Sequence, residues 1–232
     1  MGGMERQGRP DWLIHMLKLD IKKKSSEALH VLFLGAHCDD IEIGCGGTVL
    51  SLAERYKNII VHWVVFASNP LRKQEATASA NTFLSSVTQK QVIVNQYRES
   101  FFPYIGAEIK NYFEQIKADF SPDLVFTHYR DDRHQDHRVI SDLTWNTFRD
   151  HLILEYEILK FDGDIGKPNV FFPLTRAQCD QKIDLLHEHF TSQREKTWFD
   201  REVFLAMLRI RGVECNAKDG LAEAFYSRKL TI

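Results

Sequence analysis

A single stretch, residues 30–48, joins an apolar run to a cluster of polar side chains: His30-Val-Leu-Phe-Leu-Gly-Ala-His-Cys-Asp-Asp-Ile-Glu-Ile-Gly-Cys-Gly-Gly-Thr48. The first part, residues 30–36, is almost continuously apolar, which is typical of a strand buried on both faces of a sheet. The second part places His37, Asp39 and Asp40 directly after that strand. Ligands of open α/β sheets bind at the carboxyl ends of the strands, so the stretch predicts a polar site at one edge of a parallel sheet.

Further along the chain, apolar runs alternate with segments of helical period, which predicts βαβ units and a mostly parallel sheet. The predicted strands are residues 30–36, 58–67, 91–95, 123–128 and 152–160. The predicted helices between them are residues 47–56, 71–87, 104–120 and 137–150. In the last strand Glu155 and Glu157 alternate with apolar neighbours, which indicates a sheet edge. Beyond it the sequence predicts a loop, a short extended segment at residues 170–172, and helices at residues 175–192 and 200–211.

The composition is that of an average globular protein. The chain has 232 residues, 44% of them hydrophobic and 27% charged, with a formal net charge of -2. This near balance gives no reason to expect a nucleic-acid partner. The apolar stretch 12–21 is interrupted by charged residues, which predicts neither a signal peptide nor a transmembrane segment. The four cysteines form no C-x-x-C pair, which favours a reducing, cytoplasmic setting: Cys38, Cys45, Cys179 and Cys215.

A second polar cluster follows the fourth predicted strand: Thr127-His-Tyr-Arg-Asp-Asp-Arg-His-Gln-Asp-His137. In a doubly wound sheet of order 3-2-1-4-5, strands 1 and 4 are neighbours at the topological switch point, where the order of the strands reverses. Both polar clusters would then meet at one crevice. His128, at the end of the strand, either supports this site or is a satisfied core residue. The charged loop that contains Asp131 and Asp132 either contacts a polar substrate or is solvated.

The two clusters together contain candidate ligands for a catalytic zinc site. Such a site needs three nitrogen or oxygen ligands and one open position. His37 and Asp40 lie within one turn of each other, and His137 can supply the third ligand from the neighbouring loop. Asp39 then remains beside the ion as a candidate general base, since a bound Zn²⁺ lowers the pKa of water to about 7.

Two further residues of the second cluster are candidates for catalysis. His134 lies one helical turn before His137 and can stabilise a developing oxyanion or protonate a leaving group. Asp136 is the candidate partner that orients His134. Arg98, just after the third predicted strand, is a candidate for binding a substrate hydroxyl or phosphate.

At these residues the sequence resembles a known family. The segment His37-Cys-Asp39-Asp40, followed by Gly44-Cys-Gly-Gly-Thr48, is similar to the A-H-P-D-D motif of the LmbE-like, or PIG-L-like, zinc-dependent de-N-acetylases. The segment His134-Gln-Asp-His137 resembles the second motif of that family, H-x-D-H. Near the end of the chain, Ala222-Glu-Ala-Phe225 is similar to a segment that is often seen there in the family, although by itself this similarity is weak.

The resemblance implies a Rossmann-like three-layer α/β sandwich with C-terminal helices. It implies zinc held by His37, Asp40 and His137, with Asp39 as general base and His134 as its acid or electrophilic partner. The implied substrate is a small N-acetylated amino sugar, often a compound that contains N-acetylglucosamine. On this basis residues 1–232 form one domain, with a catalytic core at 28–160 and a C-terminal elaboration at 161–232.

One departure from the family pattern is Cys38, which stands where proline is usual and brings a thiol next to the proposed ligands. Its simplest role is that of a small filler. The glycines 44, 46 and 47 fit a close approach between helix and strand better than a phosphate-binding loop. Two other functions stay open: a non-catalytic sugar-nucleotide-binding protein and another mononuclear metal hydrolase, for example of phosphate esters. A homo-oligomer also stays open.

Overall fold

The first strand, β1 (Leu29–Gly35), lies inside a seven-stranded sheet. The computed structural model describes residues 18–21 and 27–231, so most of the apolar stretch 12–21 lies outside the described residues. The other strands are β2 (Ile59–Ala67), β3 (Gln89–Tyr97), β4 (Leu124–His128), β5 (Leu152–Tyr156), β6 (Val170–Pro173) and β7 (Ala222–Tyr226). The helices are α1 (Asp40–Arg55), α2 (Pro70–Phe83), α3 (Gly106–Asp119), α4 (Gln135–Thr147), α5 (Arg176–His189) and α6 (Arg201–Glu214).

The strands follow the order β3-β2-β1-β4-β5-β7-β6, which confirms the predicted order of the first five. Strand β1 pairs in parallel with both β2 and β4, and β3 and β5 extend the sheet in the same direction. Because β1 and β4 are adjacent and parallel, the loops at their carboxyl ends lie side by side. The β1–α1 and β4–α4 loops contain the two polar clusters.

The sheet is covered on both faces, which gives the predicted three layers. Successive residues of β1 point to opposite faces, so Phe33 packs in one core and Leu34 in the other. The first core includes side chains of α1, α2, α5 and α6: Val49, Phe83, Ile183 and Phe204. The second core includes side chains of α3 and α4: Ile109, Phe113 and Ile140. Within the described part of the chain, none of the helices has the length and apolar character needed to cross a membrane.

The prediction that β5 forms an edge of the sheet is wrong. Strand β7, which the sequence did not predict as a strand, pairs antiparallel with β5 on one side and with β6 on the other. Glu155 is completely buried, and its Oε2 accepts a hydrogen bond from the backbone N–H of Arg130 at 3.0 Å. Its Oε1 accepts one from Trp145 Nε1 at 2.5 Å and pairs with Arg228. In the sequence, a buried carboxylate with such partners gives the same alternation of apolar and charged residues as an exposed carboxylate.

Helix α1 begins at Asp40, seven residues before the predicted start at 47. It contains a break at Cys45, whose φ of -146° and ψ of 18° lie outside the helical region. The predicted helix corresponds to the part that follows the break. The part of α1 before the break was not predicted as helix, because three glycines surround Cys45 and glycine disfavours helix.

Candidate metal centre

Three side chains at the β1–α1 and β4–α4 junctions direct one atom each at a common point: His37 from the loop after β1, Asp40 from the start of α1, and His137 from the first turn of α4. His37 Nδ1 lies 3.1 Å from His137 Nε2 and 3.4 Å from Asp40 Oδ2. The third side of this triangle, from His137 Nε2 to Asp40 Oδ2, is 3.5 Å. The structure thus brings together the three predicted ligands, His37, Asp40 and His137. We refer to these three atoms as the ligand triangle.

The size of the ligand triangle fits a metal ion. Zinc binds nitrogen and oxygen at about 2.0–2.2 Å, so neighbouring ligand atoms of a tetrahedral site lie about 3.3 Å apart. The three observed distances, 3.1, 3.4 and 3.5 Å, bracket this value. The backbone N–H of His37 donates to Asp40 Oδ2 at 2.6 Å, so the turn between strand and helix fixes the carboxylate. The side chains of Asp40 and His137 are buried, whereas that of His37 is 13% exposed, which leaves one side of the triangle accessible.

Each imidazole of the ligand triangle has a carboxylate behind it. His137 Nδ1 donates to Asp132 Oδ2 at 2.9 Å, and His37 Nε2 donates to Asp136 Oδ2 at 3.1 Å. These hydrogen bonds place a proton on the outer nitrogen of each ring and direct the inner nitrogen toward the triangle. Carboxylate–histidine pairs of this kind orient metal-binding imidazoles in proteins.

The charges of the centre also suit a cation. Burial raises the pKa of Asp40, but His137 and His128 outweigh this effect and hold that pKa well below its usual range. Burial lowers the pKa of His37, but Asp40 and Asp136 outweigh it and raise that pKa to about 10. Burial lowers the pKa of His137 to about 3, so its Nε2 keeps a lone pair. Metal ligands must be deprotonated, so a divalent ion that binds here releases the proton of His37.

Two further histidines lie close to the ligand triangle. His134 belongs to a possible ligand group with His37 and His137, and His128 belongs to another with Asp40 and His137. The Nδ1 of His134 accepts the backbone N–H of Asp136 at 3.2 Å, so in the neutral ring Nε2 carries the proton and is a donor. The Nε2 of His128 accepts the backbone N–H of Ala36 at 2.9 Å, which uses its lone pair. The hydrogen bonds therefore favour the ligand triangle over either alternative.

Asp39 lies beside the ligand triangle and is also buried. Its Oδ1 accepts a hydrogen bond from Arg72 Nη2 at 2.7 Å, whereas its Oδ2 has no hydrogen-bond partner among the described residues. Burial raises the pKa of Asp39, and the Arg72 guanidinium opposes this effect. Arg72 lies in the first turn of α2, where Asn69 caps the helix by accepting the backbone N–H of Arg72.

Asp136 does not orient His134 through its carboxylate, contrary to the expectation from sequence. Its side chain is fully buried and turns toward His37 instead. The same carboxylate accepts the backbone N–H groups of Ser100 at 2.6 Å and of Phe102 at 3.2 Å. Asp136, in the first turn of α4, therefore connects that helix with the β1–α1 loop and the β3–α3 loop. Only its backbone N–H contacts the ring of His134.

Arg98 and Cys38 lie at the margin of the centre. Arg98 is exposed in the β3–α3 loop, and its guanidinium lies 3.5 Å from the centroid of the Phe101 ring. Cys38 is buried, its Sγ donates to the carbonyl of Ala67, and burial raises its pKa to about 12. This environment supports the prediction that Cys38 fills space as a neutral thiol.

Sequence reasoning missed several residues around the centre. Asp132 is only 2% exposed, although its charged neighbours suggest a solvated loop. Its position five residues before His137 within the motif was an available signal. No local signal pointed to Arg72 or to Lys160, whose Nζ lies 2.9 Å from Asp132 Oδ1, because both come from distant parts of the chain. His128, left open by the sequence, packs its ring against that of His137 with 3.9 Å between centroids.

Fold and centre together define an α/β protein with a candidate His/Asp metal site at the carboxyl ends of the adjacent strands β1 and β4. A profile of the family PIG-L, described as GlcNAc-PI de-N-acetylase, matches residues 32–148. The match includes both polar loops and spans half of the chain, so the protein belongs to this family. The family is metal-dependent, and membership supports a hydrolytic deacetylase.

Solved structures share the fold at low sequence identity. A conserved protein from Thermus thermophilus is 19% identical with a TM-score of 0.67, over 88% of this chain and 96% of that chain. The N,N'-diacetylchitobiose deacetylase from Pyrococcus horikoshii is 19% identical with a TM-score of 0.62, over 85% and 83%. A 4-carboxy-2-hydroxymuconate hydratase from Pseudomonas putida is 14% identical with a TM-score of 0.64, over 88% and 98%. The hydratase indicates that this fold does not by itself specify the reaction.

Proposed function

We propose that the protein is a zinc-dependent hydrolase that removes the acetyl group from an N-acetylated amino-sugar derivative, a compound that contains N-acetylglucosamine. The observation that carries this proposal is the ligand triangle beside the buried Oδ2 of Asp39, which has no hydrogen-bond partner within residues 18–21 and 27–231. The family description and the diacetylchitobiose deacetylase of the same fold support an acetylated amino sugar as the substrate class.

His37, Asp40 and His137 would hold the ion, with Asp136 and Asp132 keeping the two imidazoles in the ligating tautomer. When bound, the ion supplies Lewis-acid chemistry, because it acidifies water and polarises an amide carbonyl. Three protein ligands leave a position for water or substrate, on the side where His37 is exposed.

Asp39 accepts the proton of the attacking water at its Oδ2. Arg72 holds the other oxygen of this carboxylate, which fixes its orientation and favours its ionised form. His134 has the opposite task, since its Nε2–H can donate to the oxygen that becomes negative or to the leaving nitrogen. The water oxygen bonds to the carbonyl carbon, the C–N bond of the amide then breaks with its electron pair on nitrogen, and the nitrogen takes up a proton from His134 or from Asp39. The products are acetate and the free amine. Arg98 extends from the loop that Asp136 anchors and is assigned to a substrate hydroxyl or phosphate.

The proposal can be tested with protein that carries one equivalent of zinc. A panel of N-acetylglucosaminides is screened for release of free amine, with the Asp39→Asn and Asp142→Asn variants in parallel. We expect the wild type and Asp142→Asn to release amine, because Asp142 is an exposed carboxylate of α4 outside the two polar clusters. Asp39→Asn should bind zinc as the wild type does and lose at least about 100-fold in kcat, as expected for a general base.

Other outcomes would favour the other functions. Normal turnover by Asp39→Asn would show that another group is the base. Hydrolysis of phosphate esters without amine release would identify a different metal hydrolase. Less than a few tenths of an equivalent of divalent ion after purification without chelator, together with no activation by zinc, would favour a non-catalytic binding protein.

A further inference from the structure

Helix α1 is broken between the metal centre and the rest of the helix. Its first segment, residues 40–44, begins with the ligand Asp40, and its second segment, residues 46–55, follows the break at Cys45. The position of the first segment therefore determines where the carboxylate of Asp40 lies in the ligand triangle. Two side chains that are distant in sequence, Lys182 and Glu223, meet at the break.

Glu223 of β7 caps the second segment. The first backbone N–H groups of a helix have no carbonyl partner within it, and a carboxylate at this end is stabilising. The N–H of Gly47 donates to Glu223 Oε1 at 2.9 Å, and the N–H of Thr48 donates to Oε2 at 2.6 Å. Glu223 is only 3% exposed, so these hydrogen bonds are shielded from water.

Lys182 of α5 connects this cap to the first segment. Its Nζ donates to the carbonyl of Ile43 at 2.7 Å and to Glu223 Oε1 at 2.5 Å. A buried ion pair stabilises a structure only when further hydrogen bonds satisfy both charges, as they do here. The pair therefore holds the last turn of the first segment and the first turn of the second segment at the same time. We refer to Lys182 and Glu223 as the α1 clamp.

The glycines around the break make the clamp necessary. A Cβ at Gly44 would lie 2.2 Å from Tyr156 Cδ2, and one at Gly47 would lie 2.4 Å from Leu174 Cδ1. Only glycine allows α1 to approach these side chains so closely. Each glycine also weakens the helix by about 1 kcal/mol relative to alanine, so this part of α1 depends on tertiary contacts for its shape.

We propose that Lys182 and Glu223 are positioning residues of the metal centre. The α1 clamp fixes the break at Cys45 and thereby the place of Asp40 opposite His37 and His137. This inference rests on the proposed function, because its effect on metal affinity requires that the centre bind an ion. It also gives a role to the C-terminal segment Ala222–Phe225, which the mechanism does not use.

The experiment compares Glu223→Gln and Lys182→Met with a matched control in the full chain. The control is Arg211→Met: Arg211 is also a buried cation in an ion pair, 2.6 Å from Glu157, and its hydrogen bonds go to α6 and the β5–β6 loop. A single clamp variant leaves one buried charge unpaired, so the double variant, with both ends neutral, is made as well. Zinc affinity is measured by competition with a chromophoric chelator. Hydrogen–deuterium exchange is followed in peptides that cover residues 40–48, at a temperature where circular dichroism shows all variants folded.

We expect the clamp variants to bind zinc about tenfold more weakly than the wild type, similar to the loss of a hydrogen-bond partner behind a ligand. Exchange in residues 40–48 should be faster. Arg211→Met should stay within about twofold of the wild type in zinc affinity, with unchanged exchange in this segment, since the hydrogen bonds that it loses go to Glu157, Glu214 and Gly166 and none of them goes to α1.

Zinc affinity in the clamp variants equal to that of Arg211→Met would overturn the proposal, even if exchange becomes faster, because the clamp would then only stabilise the helix. Failure of the wild type to bind any ion would instead overturn the proposed function. In that case exchange in residues 40–48 decides whether the clamp fixes the segment that carries Asp40. Equal exchange in clamp and control variants would show that it does not.

Discussion

His37 reaches the ligand triangle from the β1–α1 loop and His137 from the first turn of α4, and different contacts hold the two rings. His137 is supported by Asp132, which lies five residues earlier in the β4–α4 loop. His37 is supported by Asp136, which lies 99 residues later in the chain. One half of the centre is therefore local, whereas the other half forms only when β1 and β4 pair.

Each supporting carboxylate also ties a different loop to the centre. Asp136 accepts two backbone N–H groups of the β3–α3 loop, which contains Arg98. Asp132 pairs with Lys160 of the β5–β6 loop. Each imidazole thus directs one nitrogen at the ligand triangle, but the carboxylates behind the two rings contact different loops of the crevice. Substitutions of the two imidazoles, of their supporting carboxylates and of Lys160 should therefore have effects that decrease in this order.

Removal of either imidazole should abolish the metal site. We expect His37→Ala and His137→Ala each to weaken zinc binding by more than about 100-fold, beyond the range found for residues behind ligands. His62→Ala is the control, because His62 stacks on Phe120 away from the centre. Zinc affinity by chelator competition measures the effect. Retention of normal affinity in either ligand variant would exclude that residue from the ligand triangle.

Loss of either supporting carboxylate should weaken the site less. Asp132→Asn and Asp136→Asn are expected to lower zinc affinity by about 10- to 100-fold, because each leaves an imidazole poorly oriented. The same competition assay applies, with Asp142→Asn in α4 as a control whose side chain is exposed. If only one of the two variants lost affinity, the centre would depend on one imidazole more than on the other.

The same two variants should differ in KM. Asp136→Asn loses contacts with the β3–α3 loop, so we expect its KM to rise about fivefold, which corresponds to the net worth of about one hydrogen bond. Asp132→Asn should leave KM unchanged, because its carboxylate contacts a different loop. Steady-state kinetics at saturating zinc measure this difference. An equal KM in both variants would contradict a role of the β3–α3 loop in substrate binding.

Lys160 should have the smallest effect. Its Nζ lies 2.9 Å from Asp132 Oδ1 and 2.6 Å from Asp164 Oδ2. We expect Lys160→Met to weaken zinc binding by at most about fivefold, the net worth of about one hydrogen bond, because Lys160 contacts Asp132 and none of the three atoms of the ligand triangle. Asp162→Asn, a neighbouring exposed carboxylate 4.0 Å from Lys160, should have no effect on zinc affinity. An effect of Lys160→Met larger than that of Asp132→Asn would show that Lys160 acts on the centre by another route.

The sequence predicted much of the fold because the evidence for it is local. The apolar runs of β1 and β4 are strong signals for buried strands, and the parallel order follows from the alternation of strands and helices. Glu155 misled the prediction because a buried, hydrogen-bonded carboxylate gives the same pattern as an edge residue. Strand β7 was missed because it has only five residues and no hairpin turn next to it that would indicate a partner strand.

In the candidate centre, too, the features with a local sequence signal were predicted and those that depend on distant residues were not. The residues that direct atoms at a common point stand in two short motifs, so His37, Asp40 and His137 were accessible from spacing. The partner of Asp136 was not accessible, because a carboxylate next to two histidines in sequence can turn toward either of them or away from both. Its contacts with His37 and with the backbone of Ser100 depend on how three loops converge.

The sequence by itself determined the class of fold and the two polar clusters, and it predicted the candidate ligands that the structure brings together. Strand periodicity and short motifs encode these features within a few residues. Only the tertiary structure decided the hydrogen bonds that hold the ligands: Asp136 on His37, Arg72 on Asp39, and the α1 clamp across the break at Cys45. Hydrogen bonds and ion pairs require atoms within about 3 Å, and only folding brings residues from distant parts of the chain that close.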